Sequence, residues 1–236
     1  MSHLILVRHG QSIWNLENRF TGWVDVELSA KGKLEASNAG ELIKSLNIKI
    51  DCFYTSYLRR AIDTLNIILK KNEISNKKVI KAWELNERHY GSLTGLNKDE
   101  MKKRLSETKV HELRRSWDIP PEKLNRESQY HPLNNDIYKD IPKKNIPDTE
   151  SLKDTYNRVI PYYEKKINKK NNDNILISAH GNSIRALCKY LFKLDNNTIS
   201  KLEIPTGNPL LIELNKSVSI SARYLDPKRA KDLIVF

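Results

Sequence analysis

The sequence is poor in cysteine and has no long apolar run. Its 236 residues include only two cysteines, Cys52 and Cys188, too few for a disulfide scaffold and typical of a reducing compartment. The apolar run at residues 4–7 is shorter than the roughly 7–15 apolar residues of a signal peptide or the roughly 20 of a membrane span. We therefore expect a cytoplasmic protein without a membrane-spanning segment.

The sequence also has fewer acidic than basic residues. The chain has 41 Lys+Arg against 29 Asp+Glu, a net charge of +12. This excess fits a nucleic-acid binder, a membrane-surface binder, an enzyme for anionic substrates, or a coat of solvated lysines. The lysines are scattered and no known nucleic-acid-binding module is present, which disfavours the first of these. We expect neither nucleic acid nor membrane as a partner.

Short aliphatic segments alternate with helical patterns along the chain. This alternation predicts an α/β fold, with a mostly parallel central sheet and helices on both faces. A polar turn between two apolar segments near the end predicts a hairpin at the sheet edge. The predicted strands span residues 4–8, 51–56, 79–83, 174–178, 209–214 and 218–224, and the predicted helices begin near Ser29, Leu58, Asn97, Ser151 and Ser183.

The pattern indicates one domain, residues 1–236, with an irregular insertion at about residues 118–147. Five of the nine prolines fall in that segment, and no regular period survives there. Helical and strand patterns resume after it without a second core, so it is not a linker. We expect the insertion to lie over the sheet and to be a candidate cover for a site. In the helix after Ser29, the spacing predicts that Leu34, Leu42, Ile43 and Leu46 face the core.

Two predicted strands end in His-Gly. Arg8, His9 and Gly10 follow the first strand, and His180 and Gly181 follow the strand at 174–178. Ligands of open parallel sheets bind outside the carboxyl ends of the strands. A neutral imidazole there can accept a phosphoryl group, and an arginine can hold phosphate through two parallel hydrogen bonds. Two such turns at one sheet edge predict a phosphoryl-transfer site.

Further charged residues follow other strands of the sheet. Arg59 and Arg60 come after the second strand, and at least one of them is expected to reach the same phosphate. Glu84 and Glu87 follow the third strand, and either is a candidate general acid and base. The sequence has neither a Walker-type loop nor a metal-ligand cluster, so we expect chemistry without a metal.

These residues resemble the cofactor-dependent phosphoglycerate mutases of the histidine phosphatase superfamily. The resemblance covers nearly the whole chain, with many motifs in the right order. They are RHGQSIWN at 8–15, FTGW at 20–23, TSYLRRA at 55–61, LNERHYG at 85–91, GLNK at 95–98, RRSWDIPP at 114–121, TESL at 149–152, AHGN at 179–182 and IPTGNP at 204–209. Gln11 stands where many members carry Glu, and residues 225–236 form a shorter tail than that of some members.

The resemblance implies roles for particular residues. His9 would carry the phosphoryl group, Glu87 rather than Glu84 would give and take the proton, and His180 would stabilise the transferring group with Arg8 and Arg60. The residues implied to bind substrate are Arg8, Gly10, Gln11, Ser12, Asn15, Thr21, Gly22, Arg60, Glu87, Arg88, His89, Tyr90, Lys98, Arg114, Arg115, Gly181 and Asn182.

The implied reaction interconverts 2-phosphoglycerate and 3-phosphoglycerate in glycolysis and gluconeogenesis. It would pass through phosphohistidine, primed by 2,3-bisphosphoglycerate and without a metal. The alternative within the superfamily is a phosphatase that hydrolyses small phosphate esters through the same intermediate. The feature that would distinguish a mutase from a phosphatase is the set of Arg114, Arg115 and Lys98, because these residues would retain the intermediate acid. The partners would be small phosphoglycerates, and a homo-oligomer, above all a dimer, is expected.

Overall fold

Within the described residues the sheet has six strands, and they run in both directions, as the sequence predicts. The computed structural model describes residues 2–75, 77–168, 173–215 and 218–230, so the end of the predicted tail, 231–236, lies outside the described residues. The strands are β1 (Ser2–Arg8), β2 (Cys52–Thr55), β3 (Val79–Lys81), β4 (Ile175–Ala179), β5 (Leu210–Asn215) and β6 (Val218–Tyr224). The sheet order is β3-β2-β4-β1-β5-β6. Pairing is parallel from β3 to β1 and antiparallel from β1 to β6.

Helices cover both faces of this sheet and give three layers. Successive side chains of a strand point to opposite faces, and the buried run of β1 divides accordingly. The α-helices are α1 (Ile13–Leu16), α2 (Ala30–Lys44), α3 (Arg59–Lys71), α4 (Lys98–Leu105), α5 (Glu107–Arg115), α6 (Leu152–Tyr162), α7 (Gly181–Leu191) and α8 (Asn196–Lys201). Leu4 and Leu6 pack with α6 and α7, whereas Ile5 and Val7 pack with α2 and α3. The predicted α/β architecture is confirmed.

Side-chain caps fix several of the predicted helix starts. Ser29 accepts a hydrogen bond from the Gly32 N–H at the start of α2, and Ser151 forms a capping box with Asp154 at the start of α6. Helix α7 begins at Gly181, two residues earlier than predicted. The reason is that the Ser183 hydroxyl accepts from the His180 N–H, which makes Ser183 the third helical residue instead of the cap.

The prediction that Leu34 faces the core is wrong. Its side chain is 62% exposed, while Ala36, Ala39 and Ile43 are buried. Helix α2 packs closely on α3 through small residues, and a Cβ added to Gly40 would lie 2.7 Å from the Lys71 Cβ. This contact turns the small-residue face of α2 inward and leaves Leu34 on the outer side.

The insertion at 118–147 contains neither α-helix nor strand. It has three short 3-10 turns: Pro132–Asn134, Asp136–Tyr138 and Lys143–Asn145. Its apolar residues Tyr138, Ile141 and Ile146 pack with Trp23 and Leu58 in a separate cluster. Among the described residues, no helix is long and apolar enough to cross a membrane.

The two His-Gly turns differ in the space around their glycines, and this difference gives a stability prediction. A Cβ on Gly10 would lie 2.1 Å from the Gly32 carbonyl oxygen, so backbone must move. A Cβ on Gly181 would meet Arg8 Nε first, at 3.6 Å, an ordinary contact. Gly10→Ala is expected to cost about 1–3 kcal/mol, or about 2–4 °C of Tm per kcal/mol, in thermal unfolding. Gly181→Ala is the matched control; equal Tm values for the two variants would contradict this account.

Candidate active site

The carboxyl ends of β1, β2 and β4 meet at one edge of the sheet. Arg8 pairs with Ala179, and the His9 N–H donates to the Ala179 carbonyl at 3.0 Å. This register places the rings of His9 and His180 with their centroids 5.0 Å apart. The two predicted His-Gly turns therefore belong to one site.

His9 is held as a neutral ring with one nitrogen facing cationic groups. Its Nδ1 lies 2.6 Å from the Gly10 carbonyl oxygen, which can only accept, so Nδ1 carries the hydrogen. Arg60 Nε donates to His9 Nε2 at 3.3 Å, which fits a lone pair on Nε2. Burial, and then the charges of Arg60 and Arg8, hold the pKa of His9 well below its ordinary value. Nε2 is therefore available as a nucleophile.

Of the two arginines that follow β2, Arg60 is the one that contacts His9. Its guanidinium is buried and donates to the carbonyls of Gly22 at 2.7 Å and Val24 at 2.8 Å, and burial lowers its pKa. Arg59 is exposed and forms ion pairs with Asp25 and Glu27. Only Arg60 of this pair reaches His9.

His180 lies behind His9, outside the cavity lining. It is fully buried, and its Nε2 lies 2.7 Å from the Ser56 hydroxyl oxygen. Burial, followed by the charge of Arg60 and the neighbouring His9, lowers its pKa well below the ordinary value. The ring is therefore neutral and fixed, beside the ring of His9.

Glu87, and not Glu84, faces the cavity. Its Oε1 accepts from the backbone N–H of Asn182 at 3.1 Å, from Asn182 Nδ2 at 2.9 Å and from the Arg88 N–H at 2.8 Å. Three donors thus hold Oε1, and Oε2 is the oxygen left to contact a ligand in the cavity. Glu84 is half-buried in a different groove, beside Trp83 and Tyr162.

The cavity in front of His9 has a volume of about 120 Å³ and a strongly cationic lining. Burial lowers the pKa of Lys98 and that of Arg114, and nearby arginines add to both effects. Tyr90 has a lowered pKa even though burial opposes this, because the charges of Arg88, Arg114 and Lys98 outweigh it. The predicted residues that line the cavity are Arg8, His9, Asn15, Thr21, Gly22, Arg60, Glu87, Tyr90, Lys98, Arg114, Arg115, Gly181 and Asn182.

The other predicted site residues do not line this cavity. Gly10 packs against Gly32, and Gln11 accepts a hydrogen bond from the Ser29 hydroxyl at 2.9 Å. Ser12 caps helix α1 by accepting from the Asn15 N–H. These residues shape the turn that carries His9, so their predicted contact with substrate stays a prediction without support from the cavity lining.

Arg88 and His89 are also set back from the cavity. Arg88 Nη2 donates to the carbonyls of Leu113 at 3.0 Å and Arg114 at 3.1 Å, so it caps the end of α5. The ring of His89 is buried and accepts from the Gly91 N–H at 3.0 Å, and burial together with His131 lowers its pKa to about 3. Both residues support the site through neighbouring segments.

Sequence reasoning missed several residues that line the cavity. They are Arg19, Phe20, Arg185, Glu203 and Ile204. Arg115 is paired with Glu203, and the Ile204 carbonyl accepts from Arg8 Nη1 at 2.7 Å. Arg185 stands among the apolar residues of α7, and a charge on a buried helix face is a signal that could have identified it. No residue of 118–147 is part of the lining, so the expectation that the insertion covers a site stays a prediction.

No group of three or more His, Cys, Asp or Glu side chains within the described ranges is arranged to hold a metal ion.

Comparisons of the sequence give one consistent family. The family model of the histidine phosphatase superfamily (branch 1) matches residues 4–133 and 125–218. A Pelagibacter ubique protein named 2,3-bisphosphoglycerate-dependent phosphoglycerate mutase is 65% identical, and the alignment covers 100% of both chains. A Maricaulis maris protein of the same name is 46% identical over 99% of this chain and 98% of its own.

Solved structures with low sequence identity share the fold. A protein described as mycobacterial hydrolase 1 superposes with a TM-score of 0.72 at 22% identity, covering 94% of this chain and 96% of its own. A mycobacterial glucosyl-3-phosphoglycerate phosphatase gives 0.68 at 21% identity, covering 95% and 97%. At this identity the likeness extends to the fold alone.

The buried histidines make stability depend on pH. The rings of His9, His180 and His89 stay neutral in the folded state, because their pKa values are lowered. In the unfolded chain they take up protons below pH of about 6.5, so acid favours unfolding. As the pH falls from about 6.5 to 5, the free energy of unfolding should decrease with a slope that approaches about 1.4 kcal/mol per pH unit for each ring.

Urea denaturation across a pH series measures this slope. His89→Asn removes one of the titrating rings, and its amide oxygen can still accept from the Gly91 N–H. The free energy of unfolding of this variant should therefore fall less steeply as the pH is lowered, by the contribution of one ring. A free energy of unfolding that stays flat from pH 6.5 to 5 would contradict the neutral state of these histidines.

Proposed function

The chain belongs to the histidine phosphatase superfamily and, within it, to the 2,3-bisphosphoglycerate-dependent phosphoglycerate mutases, and we propose that it interconverts 2-phosphoglycerate and 3-phosphoglycerate. This is the isomerase step of glycolysis and gluconeogenesis, an intramolecular phosphoryl transfer in its net result. The observation that carries the proposal is the neutral ring of His9, with Nε2 turned toward a cationic cavity.

The transfer uses His9 as nucleophile and Glu87 as proton donor. His9 Nε2 forms a bond to phosphorus while the bond from phosphorus to the leaving oxygen breaks, and Glu87 Oε2 gives that oxygen a proton. In the second half, Glu87 takes the proton from the acceptor hydroxyl as that oxygen attacks the phosphohistidine. Glu87 and His9 thus return to their starting states after each turnover.

Charge on the transferring group is stabilised by fixed donors. Arg8 and Arg60 are already held in place by backbone carbonyls, so they need little reorganisation when charge develops. His180 lies beside the nucleophile with its ring restrained by Ser56. We assign these three residues to stabilisation of the phosphoryl group in flight, as the resemblance implies.

The priming compound fits the donors that face the cavity. Two phosphates and a carboxylate carry about five negative charges in all, which call for several cations. Arg8 Nε and Thr21 Oγ1 are buried without a hydrogen-bond partner, as expected for donors kept for an anion. When bound, 2,3-bisphosphoglycerate supplies the first phosphoryl group. Its phosphates and carboxylate would be held by Arg8, Arg60, Lys98, Arg114, Arg115, Asn15 and Thr21.

The proposed reaction indicates the compartment and the partners of the enzyme. We infer a cytoplasmic enzyme whose partners are small phosphoglycerates, in a reaction that needs no metal. A homodimer stays a prediction.

Labelling of the protein tests the nucleophile. Incubation with 2,3-bisphosphoglycerate in the presence of a chelator should place one phosphoryl group on His9, located by mass spectrometry of the digested protein. His9→Ala should abolish both the label and mutase turnover, whereas His111→Ala, at an exposed position on α5, should retain both. A label on another residue, or a need for a divalent metal, would overturn the mechanism.

The phosphatase alternative is tested at helix α5. Arg114 and Arg115 line the cavity and would retain the intermediate acid for the second transfer. Arg114→Ala or Arg115→Ala should lower mutase turnover and raise the ratio of hydrolysis to mutase activity. Lys109→Ala on the same helix, where the lysine pairs with Glu112, is the matched control. Unchanged turnover and affinity in both arginine variants would remove the role assigned to them.

A further inference from the structure

Arg185 lies beside the cavity, and the phosphoryl-transfer steps above do not use it. Its side chain is 1% exposed and it also lines the cavity. Nη1 donates to Asn182 Oδ1 at 2.8 Å, and Nη2 donates to the Ile199 carbonyl. A buried guanidinium held by an amide oxygen and a carbonyl needs a reason, because burying a charge is costly.

The contact with Arg185 fixes which way the Asn182 amide points. A guanidinium can only donate, so it must face the amide oxygen. The amide nitrogen is thereby turned to Glu87 Oε1 at 2.9 Å and to the Tyr90 hydroxyl at 3.2 Å. A flipped amide would place its oxygen against the carboxylate oxygen, two acceptors in contact.

The orientation of Asn182 decides which oxygen of Glu87 holds the proton. With the amide nitrogen in place, Oε1 accepts from three N–H groups and has no room for a proton of its own. When Glu87 acts as the acid, its proton is therefore on Oε2, which lies 3.7 Å from the position of a Cβ built on Gly181, beside the cavity. Loss of one donor would let the carboxyl group rotate and turn its proton away.

We propose that Arg185 is a positioning residue for the general acid: it orients the Asn182 amide, which in turn keeps the transferable proton of Glu87 on the cavity side. The inference rests on the proposed function, in which Glu87 Oε2 protonates the leaving oxygen as Nε2 of His9 bonds to phosphorus. Arg185 itself touches no reacting atom in this account.

A purely structural role is the competing explanation, because Arg185 also holds α8 through the Ile199 carbonyl. The two explanations predict that phosphorylation of His9 is slowed for different phosphoryl donors. A loosened fold slows phosphorylation of His9 by every donor. A misplaced proton slows only donors whose leaving oxygen must be protonated.

Single-turnover phosphorylation of His9 by two donors separates the explanations. The leaving oxygen of 2,3-bisphosphoglycerate needs a proton, whereas p-nitrophenyl phosphate releases a stable phenolate without one. Arg185→Met, close in size and uncharged, should slow the first reaction by about tenfold to a hundredfold. The second should be nearly unchanged. Glu87→Gln should reproduce this selective loss.

Two variants keep the test decisive if Arg185→Met fails to fold. Arg185→Lys can still donate to Asn182 and should recover part of the rate with 2,3-bisphosphoglycerate. Asn182→Leu, close in size and uncharged, offers Glu87 no side-chain N–H and should slow phosphorylation by 2,3-bisphosphoglycerate more than phosphorylation by p-nitrophenyl phosphate. Leu187→Ala is the control for stability, since it opens the core on the same helix and should lower Tm without selectivity.

Equal losses with both donors, or no loss, in the Arg185 and Asn182 variants would overturn the inference. Those outcomes leave the proposed function standing as long as the unmodified protein is labelled on His9 by 2,3-bisphosphoglycerate. Failure of that labelling would instead remove the proposed function, and the positioning role with it.

Discussion

Positive charge gathered around a small buried cavity is the constraint on which this site depends. Such charge is costly to bury, and the chain offsets the cost with backbone carbonyls: those of Gly22 and Val24 for Arg60, and that of Ile204 for Arg8. Burial, and then the charges of Arg60 and Arg8, hold the pKa of His9 well below its usual value, so the ring stays neutral. These carbonyls offset only part of the positive charge, and a bound anionic ligand would neutralise more of it.

The sheet supplies the geometry that this electrostatic arrangement needs. Parallel pairing of β1 with β4 brings His9 beside His180, and pairing of β2 with β4 brings Ser56 to the same edge. Both histidines directly follow a strand, so the hydrogen bonds between the strands hold their backbone in place. The site is therefore built on the ends of strands, and the cavity-lining arginines of α5 are added from outside the sheet.

Local patterns in the sequence were sufficient to predict most of this arrangement. Buried strands followed at once by His-Gly located the reactive edge, and caps such as Ser29 and Ser151 marked helix starts, because both signals depend only on neighbouring residues. Leu34 was misplaced because its exposure is set by close packing of α2 on α3, a tertiary contact with no local signature. The resemblance led to Glu87, but its separation from Glu84 depends on how the chain turns after β3. Arg185 was missed for a related reason: its contact with Asn182 lies within α7, but its contact with the Ile199 carbonyl and its place in the cavity lining appear only once the chain is packed.

The protonation state of His9 tests the central claim most directly. Nitrogen-15 NMR of the free protein, with ring signals assigned by comparison with His9→Ala, reports which ring nitrogen carries hydrogen. We predict a neutral imidazole at pH 7 and still at pH 6, protonated on Nδ1 and bare on Nε2. An imidazolium at pH 7, or a ring protonated on Nε2, would contradict the account, because the nucleophile would then have no lone pair facing the cavity.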